Sequence, residues 1–257
     1  MCLIIFAYQA LPEIKLVVAA NRDELFTRPS QQAQFWPDAS AGADILAGRD
    51  LTAGGTWLGI TRQGRFAAVT NIRDPLNKEA RPKSRGELTR RFLNSSISSQ
   101  DYCESLEPDF NDYAGFNLLV SDGDTLWYVN NFEGLCYQLT PGIYGLSNGI
   151  LDSPWPKILN GKARLKELLA NPAKLTTDEL IKMMQDTSQA PDDLLPNTGV
   201  PLELERTLSP AFISNPQRHY GTLCSTAMIV KPNQACSFSE QNYGEAGMAS
   251  QRHYYEF

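Results

Sequence analysis

The sequence predicts an α+β chain made of antiparallel sheets with helices outside them. Apolar stretches with strand-like alternation come in pairs around short turn signals, which is the pattern of β-hairpins. The helical stretches come in two pairs between groups of strands, not one after each strand. The order is therefore strands, two helices, strands, two helices, strands. Two sheets packed face to face with helices outside accommodate that order.

The first hairpin joins residues 2–8 to 14–20 around Leu11-Pro12-Glu13 and ends at the polar burst Asn21-Arg22-Asp23-Glu24. A burst directly after an apolar strand puts charged groups at a sheet end, and near the start of the paired strand only if the register is offset. Residues 27–44 are expected to be loop, with Pro29, Pro37 and Gly42. Ile45–Asp50 follows, and then Gly54-Gly55, a pair that permits torsions closed to other residues and close approach of another group. Residues 57–61 and 65–70 form a second hairpin, which runs out at Asn71-Ile72-Arg73-Asp74. Ser84-Arg85-Gly86-Glu87 has the form of a capping box and predicts a helix over 85–93, followed by another over 100–106. Asp122-Gly123-Asp124 turns a hairpin of 116–121 and 125–130. Short strands at 135–139 and 143–146 lead to Ser147-Asn148-Gly149. Pro154-Trp155-Pro156 opens a helix over 157–170, and Thr176 caps another that runs to about 185. The proline-rich stretch 187–219 has little periodicity and suits a lid or insertion beside a site. A late hairpin, 222–230 with 235–239, and a last strand over 252–257 complete a single domain.

Composition narrows the function classes. The chain has 257 residues, 42% hydrophobic and 20% charged, with a formal net charge of −6. An acidic balance disfavours nucleic acid as a partner. No apolar stretch approaches the roughly 20 residues that span a bilayer, and the short apolar start lacks a basic leader. Stable membrane insertion is not expected, and the expected location is cytoplasmic. Five scattered cysteines without a CxxC suggest neither a disulfide framework nor a metal site. Only His219 and His253 are present, so a histidine-based catalytic machine is poorly supplied.

Cys2 is the centre of interest. With Met1 removed, it carries a thiol and a free α-amine on one residue. Such an amine titrates near a pKa of about 7.7–8.0, so part of it is an unprotonated base at neutral pH. A thiol with a built-in base is a self-contained nucleophile and needs no histidine. The plainer reading is a small apolar residue opening a strand.

Several motifs in order carry a resemblance: Met1-Cys2, Asn21-Arg22-Asp23-Glu24, Ala47-Gly48-Arg49-Asp50, Gly54-Gly55-Thr56-Trp57, Thr70-Asn71-Ile72-Arg73, Ser84-Arg85-Gly86-Glu87 and Ser147-Asn148-Gly149. The chain resembles the NRDE family, named for the tetrapeptide at 21–24, which includes transport and Golgi organization protein 2. The resemblance implies an N-terminal-nucleophile hydrolase-like fold, a four-layer αββα sandwich. Bile-salt hydrolases and penicillin V acylases share that fold. By motif, their catalytic positions fall on Cys2, Arg22, Asp23, Asn71 and Asn148. On that reading Cys2 attacks an acyl carbon and Asp23 orients the α-amine. Asn71 or Asn148 donates to the oxyanion. Arg22 lowers the thiol pKa or orients a substrate carboxylate.

Two functions follow as expectations. One is an N-terminal-cysteine amidase or acyl hydrolase for a small amide or acyl substrate, with no cofactor. The other is a non-catalytic carrier of haem or of a lipid or acyl ligand, in which Arg22, Arg49, Arg73 and Arg85 contact ligand carboxylates. Family members have been linked to haem trafficking and lipid homeostasis.

Overall fold

A computed structural model describes residues 2–37, 43–76 and 79–257. Met1 and Gly42, the latter in the expected first loop, lie outside the described residues. The described residues form two compact units, one of 2–27, 73–76 and 141–257, the other of 28–37, 43–72 and 79–140.

The chain opens with β1 (Cys2–Leu11) and β2 (Ile14–Leu25) of the first unit. It then builds the second unit from β3 (Ser30–Phe35), β4 (Ile45–Asp50), β5 (Leu58–Thr61), β6 (Phe66–Asn71), α1 (Arg85–Leu93), α2 (Ser99–Glu104), β7 (Phe116–Ser121), β8 (Leu126–Asn130) and β9 (Leu135–Gln138). It returns to the first with β10 (Gly142–Leu146), α3 (Pro156–Leu169), α4 (Thr177–Met183), α5 (Leu202–Leu208), β11 (Ser214–Asn215), β12 (Tyr220–Val230), β13 (Cys236–Tyr243) and β14 (Ala249–Glu256). Both sheets are antiparallel, and each is flanked by helices, as the fold class expects.

In the second unit the sheet runs β3-β4-β5-β6-β7-β8-β9. α1 buries Leu88, Phe92 and Leu93 against Val69, Leu118 and Val120 of that sheet. The start of α1 corrects the capping-box expectation, because the Ser84 side chain makes no cap hydrogen bond. The segment at Thr56 anchors the first turn instead. Its N–H donates to the Gly86 carbonyl, and its own carbonyl accepts from the Thr89 hydroxyl. Gly55 lies against this turn, and a Cβ there would meet the Gly86 carbonyl carbon at 2.4 Å.

In the first unit the order is β10-β1-β2-β12-β13-β14, with β11 paired to β12. Leu3, Ile5, Val17 and Ala19 face Ile158 and Leu165 of α3 and Leu180 of α4. Burying each large aliphatic side chain in this layer contributes roughly 1.5–3 kcal/mol.

Three expectations change. β2 runs through Asn21–Glu24, so the burst lies inside a strand and not past its end. It lies beside Cys2, since the end of the second strand of an antiparallel hairpin lies beside the start of the first, and the pairing shifts register once, between Tyr8 and Leu11. Residues 30–35, expected as loop, pair with β4. Their run of glutamines hides a strand that only the neighbouring strand makes evident. The proline-rich stretch contains α5. Among the described residues, no helix is long and apolar enough to cross a membrane.

Candidate active site

Strand order and register gather the candidate residues of the first unit at one sheet end. Cys2 opens β1 directly opposite Arg22 of β2. On the other side of β2, Thr222 of β12 lies opposite Asp23, and Cys224 lies opposite Arg22. β10 pairs with β1 from Ile4↔Leu146 onward, so Ser147 and Asn148 emerge beside Cys2. The Ser147 hydroxyl donates to the Cys2 carbonyl at 3.0 Å. Asn148 is buried, and its carbonyl accepts from the Arg73 N–H.

Side chains alternate along β2. Asn21 and Asp23 share the face of Val17 and Ala19, toward the helices, while Arg22 points the other way with Cys2. Asn21 is fully buried. Its amide donates to the carbonyls of Met184 and Ala211 at 2.8 Å each, and its oxygen accepts from Ser225 at 2.6 Å. Asp23 is also buried and accepts from the Thr222 hydroxyl at 2.7 Å. The Tyr220 hydroxyl donates to the Asp23 carbonyl.

Burial sets the proton affinities here. It pushes the Cys2 thiol up, against the pull of the Arg22 guanidinium. It also raises Asp23, while Lys157 and the Thr222 hydroxyl oppose that rise. Burial takes the Lys157 ammonium down from 10.5 to about 8, with Asp23 the chief opposing influence. A buried acid, a buried thiol and a buried ammonium within electrostatic reach form the kind of cluster that tunes reactivity.

Of the other candidates, Arg73 belongs to the first unit. Its guanidinium pairs with Glu205 of α5 at 2.7 Å and donates to Thr198 at 2.9 Å. Asn71, Arg49 and Arg85 belong to the second unit. Asn71 ends β6 opposite Phe116. The Arg49 guanidinium lies over the Trp36 ring, and Arg85 donates to the Gly115 carbonyl. Among the described residues, no group of three or more His, Cys, Asp or Glu is placed to hold a metal.

The model of the Transport and Golgi organisation 2 family matches residues 1–245. The chain belongs to this family. A mouse Transport and Golgi organization 2 homolog is 34% identical over 260 residues, covering 94% of this chain and 93% of that protein. The human homolog is 35% identical with the same coverage of both chains. The Drosophila protein is 26% identical, again over 94% of this chain and 92% of its own.

Among solved structures, the chain is similar to a Caenorhabditis elegans N-acylethanolamine-hydrolyzing acid amidase ortholog. The TM-score is 0.54 at 10% identity, over 90% of this chain and 93% of that one. It is also similar to the C2A mutant of a conjugated bile acid hydrolase from Clostridium perfringens. There the TM-score is 0.55 at 8% identity, over 100% and 92% of the two chains. The chain shares the fold of these two neighbours, antiparallel sheets flanked by helices.

Sequence reasoning missed Lys157, Thr222 and Glu205. A lysine in the first turn of a helix ordinarily faces solvent, and nothing in the pattern of 156–169 marks Lys157 as only 6% exposed. Thr222 had one visible signal, a hydroxyl within two residues of a strand start. Glu205 was hidden because α5 itself was not foreseen.

Proposed function

We propose that the chain is an N-terminal-cysteine hydrolase acting on a small amide or acyl substrate. The observation that supports this best is the register that sets Cys2 against Arg22 at the sheet end where Asp23 and Asn148 are buried. The two fold neighbours are named as an amidase and a conjugated bile acid hydrolase, and the reaction class proposed is theirs.

Removal of Met1 gives Cys2 its own α-amine. A thiol held above its usual range supplies little thiolate at neutral pH, so attack requires a proton acceptor at hand. The sulfur bonds to the acyl carbon while the thiol proton moves to the amine. Asn148 is the candidate donor to the resulting oxyanion, an interaction worth about 3–4 kcal/mol of barrier in such sites. Collapse breaks the acyl C–N bond, and the departing amine takes that proton from the Cys2 ammonium. Water then adds to the thioester carbon and gives its proton to the Cys2 α-amine, which passes it to the departing sulfur. The C–S bond breaks, freeing the carboxylic acid and the thiol. Asp23 orients the amine throughout, and Arg22 steadies the developing thiolate.

Intact mass should show Met1 absent. A panel of N-acyl amides and thioesters should contain a substrate that the wild type turns over and Cys2→Ala does not. Turnover that survives Cys2→Ala, or an active protein that keeps Met1, would refute the mechanism.

A further inference from the structure

Lys157 poses a problem that the hydrolase reading does not solve. Its side chain is 94% buried by the complement of its 6% exposure. Its ammonium has three N–H donors. Among the described residues it makes one hydrogen bond, to the Leu208 carbonyl at 2.9 Å, lies over the Trp155 ring at 5.9 Å, and forms no ion pair. Asp23 acts on it only through electrostatics. An ammonium in so apolar a setting favours an anion beside it.

Space for such an anion exists next to it. Lys157 borders a cavity of about 250 Å³, entirely within the first unit. Leu3, Met184 and Ala211 line its inner wall. Leu159 and Leu194 line it too, and they are 53% and 57% exposed, which marks where the cavity meets solvent. The first turn of α3 forms part of the wall through Pro156 and Lys157 itself. This helix has no side-chain cap and no acidic residue in its first turn, so the positive end of its dipole is not offset locally. The Arg164 and Asp186 side chains at the border pair with each other at 3.4 Å and largely cancel.

We infer that this cavity binds a small amphiphilic monocarboxylate, its head group on the Lys157 ammonium and the α3 N-terminus, its apolar body running between Leu3 and Met184 toward Leu159 and Leu194. The volume lies just under the range typical of drug-sized ligands, so the body is short. Methionine suits a wall that adapts to chains of different shape. A single negative charge matches one ammonium in an apolar setting. A phosphate would bring a second charge with nothing to meet it. The site lies on the helix-facing side of the sheet, where Leu3 points, and does not depend on Cys2 being catalytic.

The test uses octanoate with the full-length Cys2→Ala protein, so that turnover plays no part, and reads binding by calorimetry. Octanoate should bind saturably, at least tenfold more tightly than octanol or octylammonium. Lys157→Met should weaken it at least tenfold. Leu194→Glu, a change at an exposed position that leaves folding intact, should weaken it several-fold. The inference falls if octanoate does not bind, if octanol binds as well, or if octyl phosphate binds more tightly. It also falls if a folded Lys157→Met protein keeps the wild-type affinity. Should Lys157→Met fail to fold, unchanged affinity in Leu194→Glu overturns it alone. Failure here leaves the hydrolase reading standing, because that reading is judged by turnover and Met1 removal.

Discussion

Replacing Asn21 should unfold more of this protein's stability margin than replacing any charged member of the same tetrapeptide. Asn21 is 0% exposed, and its two donors and one acceptor site are all engaged with buried groups. The two carbonyls at 2.8 Å fix which end of the amide carries nitrogen. The network continues outward, since the Tyr243 hydroxyl donates to Ser225 and Gln185 donates to Tyr243, both at 3.1 Å. Asn21→Ala leaves two buried carbonyls and a serine hydroxyl to be satisfied. At about 1–3 kcal/mol for each stranded group, with some recovery by the rotatable hydroxyl, the loss is roughly 3–6 kcal/mol. That is a large part of a margin of about 5–15 kcal/mol. It corresponds to about 6–24 °C in Tm for a chain of this size. Ser225→Ala, which strands less, should cost about 1 kcal/mol, and the double variant should cost less than the sum. Asn21→Asp turns two donors into acceptors facing carbonyls. Its deficit should be largest at neutral pH and should shrink on acidification, as the introduced carboxyl takes up a proton more readily folded than unfolded. Urea unfolding of the four variants and the wild type at pH 7 and pH 5 measures all of this. A loss under 1 kcal/mol in Asn21→Ala, or an Asn21→Asp protein as stable as wild type at pH 7, would refute the reasoning.

Other outcomes follow from the same geometry. Arg73→Ala strands Glu205, which is 3% exposed, and should cost about 3–5 kcal/mol; Arg73→Met with Glu205→Leu should recover most of it, and chemical denaturation of the single and double variants decides. Gly55→Ala drives a Cβ into backbone at Gly86 and should cost about 3 kcal/mol or more, whereas Gly54→Ala, with open space but a φ of 72°, should cost about 1–2 kcal/mol; thermal melts should rank them in that order. Lys157 titrates at about 8 when folded against 10.5 otherwise, so the unfolded chain binds the extra proton between those values. Wild-type stability should therefore rise from pH 8 to 10.5, by up to about 3 kcal/mol, relative to Lys157→Met; parallel pH profiles of the two proteins would count against it.

The hairpins were legible because alternation and turn chemistry are local. Leu3–Ala7 and Val17–Ala20 announce strands whatever lies beside them, and Asp122-Gly123-Asp124 announces its turn. β3 was not legible, for Ser30–Phe35 has no apolar alternation and exists through its pairing with β4. Ser84 illustrates the opposite error. Its motif predicted the helix correctly and the cap wrongly, because the Glu87 N–H that the Ser84 hydroxyl would accept donates to the Ser84 backbone carbonyl instead. At the candidate site, Cys2 and Asp23 were legible as residue types that bear chemistry. Lys157 was not, since burial is a property of the fold and a surface-type residue carries no mark of it.

Thr222 marks the boundary most clearly. Strict alternation along β12 would carry on from Ser225 opposite Asn21 and Cys224 opposite Arg22 to set Leu223 opposite Asp23. The register slips there, and Thr222 takes the place opposite Asp23 instead. A bulge of one residue thus exchanges an aliphatic side chain for a hydroxyl beside a buried carboxylate. Without it Asp23 would lose its 2.7 Å donor, and the same hydroxyl could not accept from the Ile213 N–H at 2.9 Å. Bulges gather where a sheet must re-aim a side chain at a site. This one falls at the point where β1, β2 and β12 bring Cys2, Arg22 and Asp23 together. The tetrapeptide at 21–24 therefore divides its work by strand parity and by that slip. Asn21 ties β2 to the helical layer and Arg22 faces Cys2, while Asp23 accepts a hydrogen bond from a residue that only the irregular register delivers.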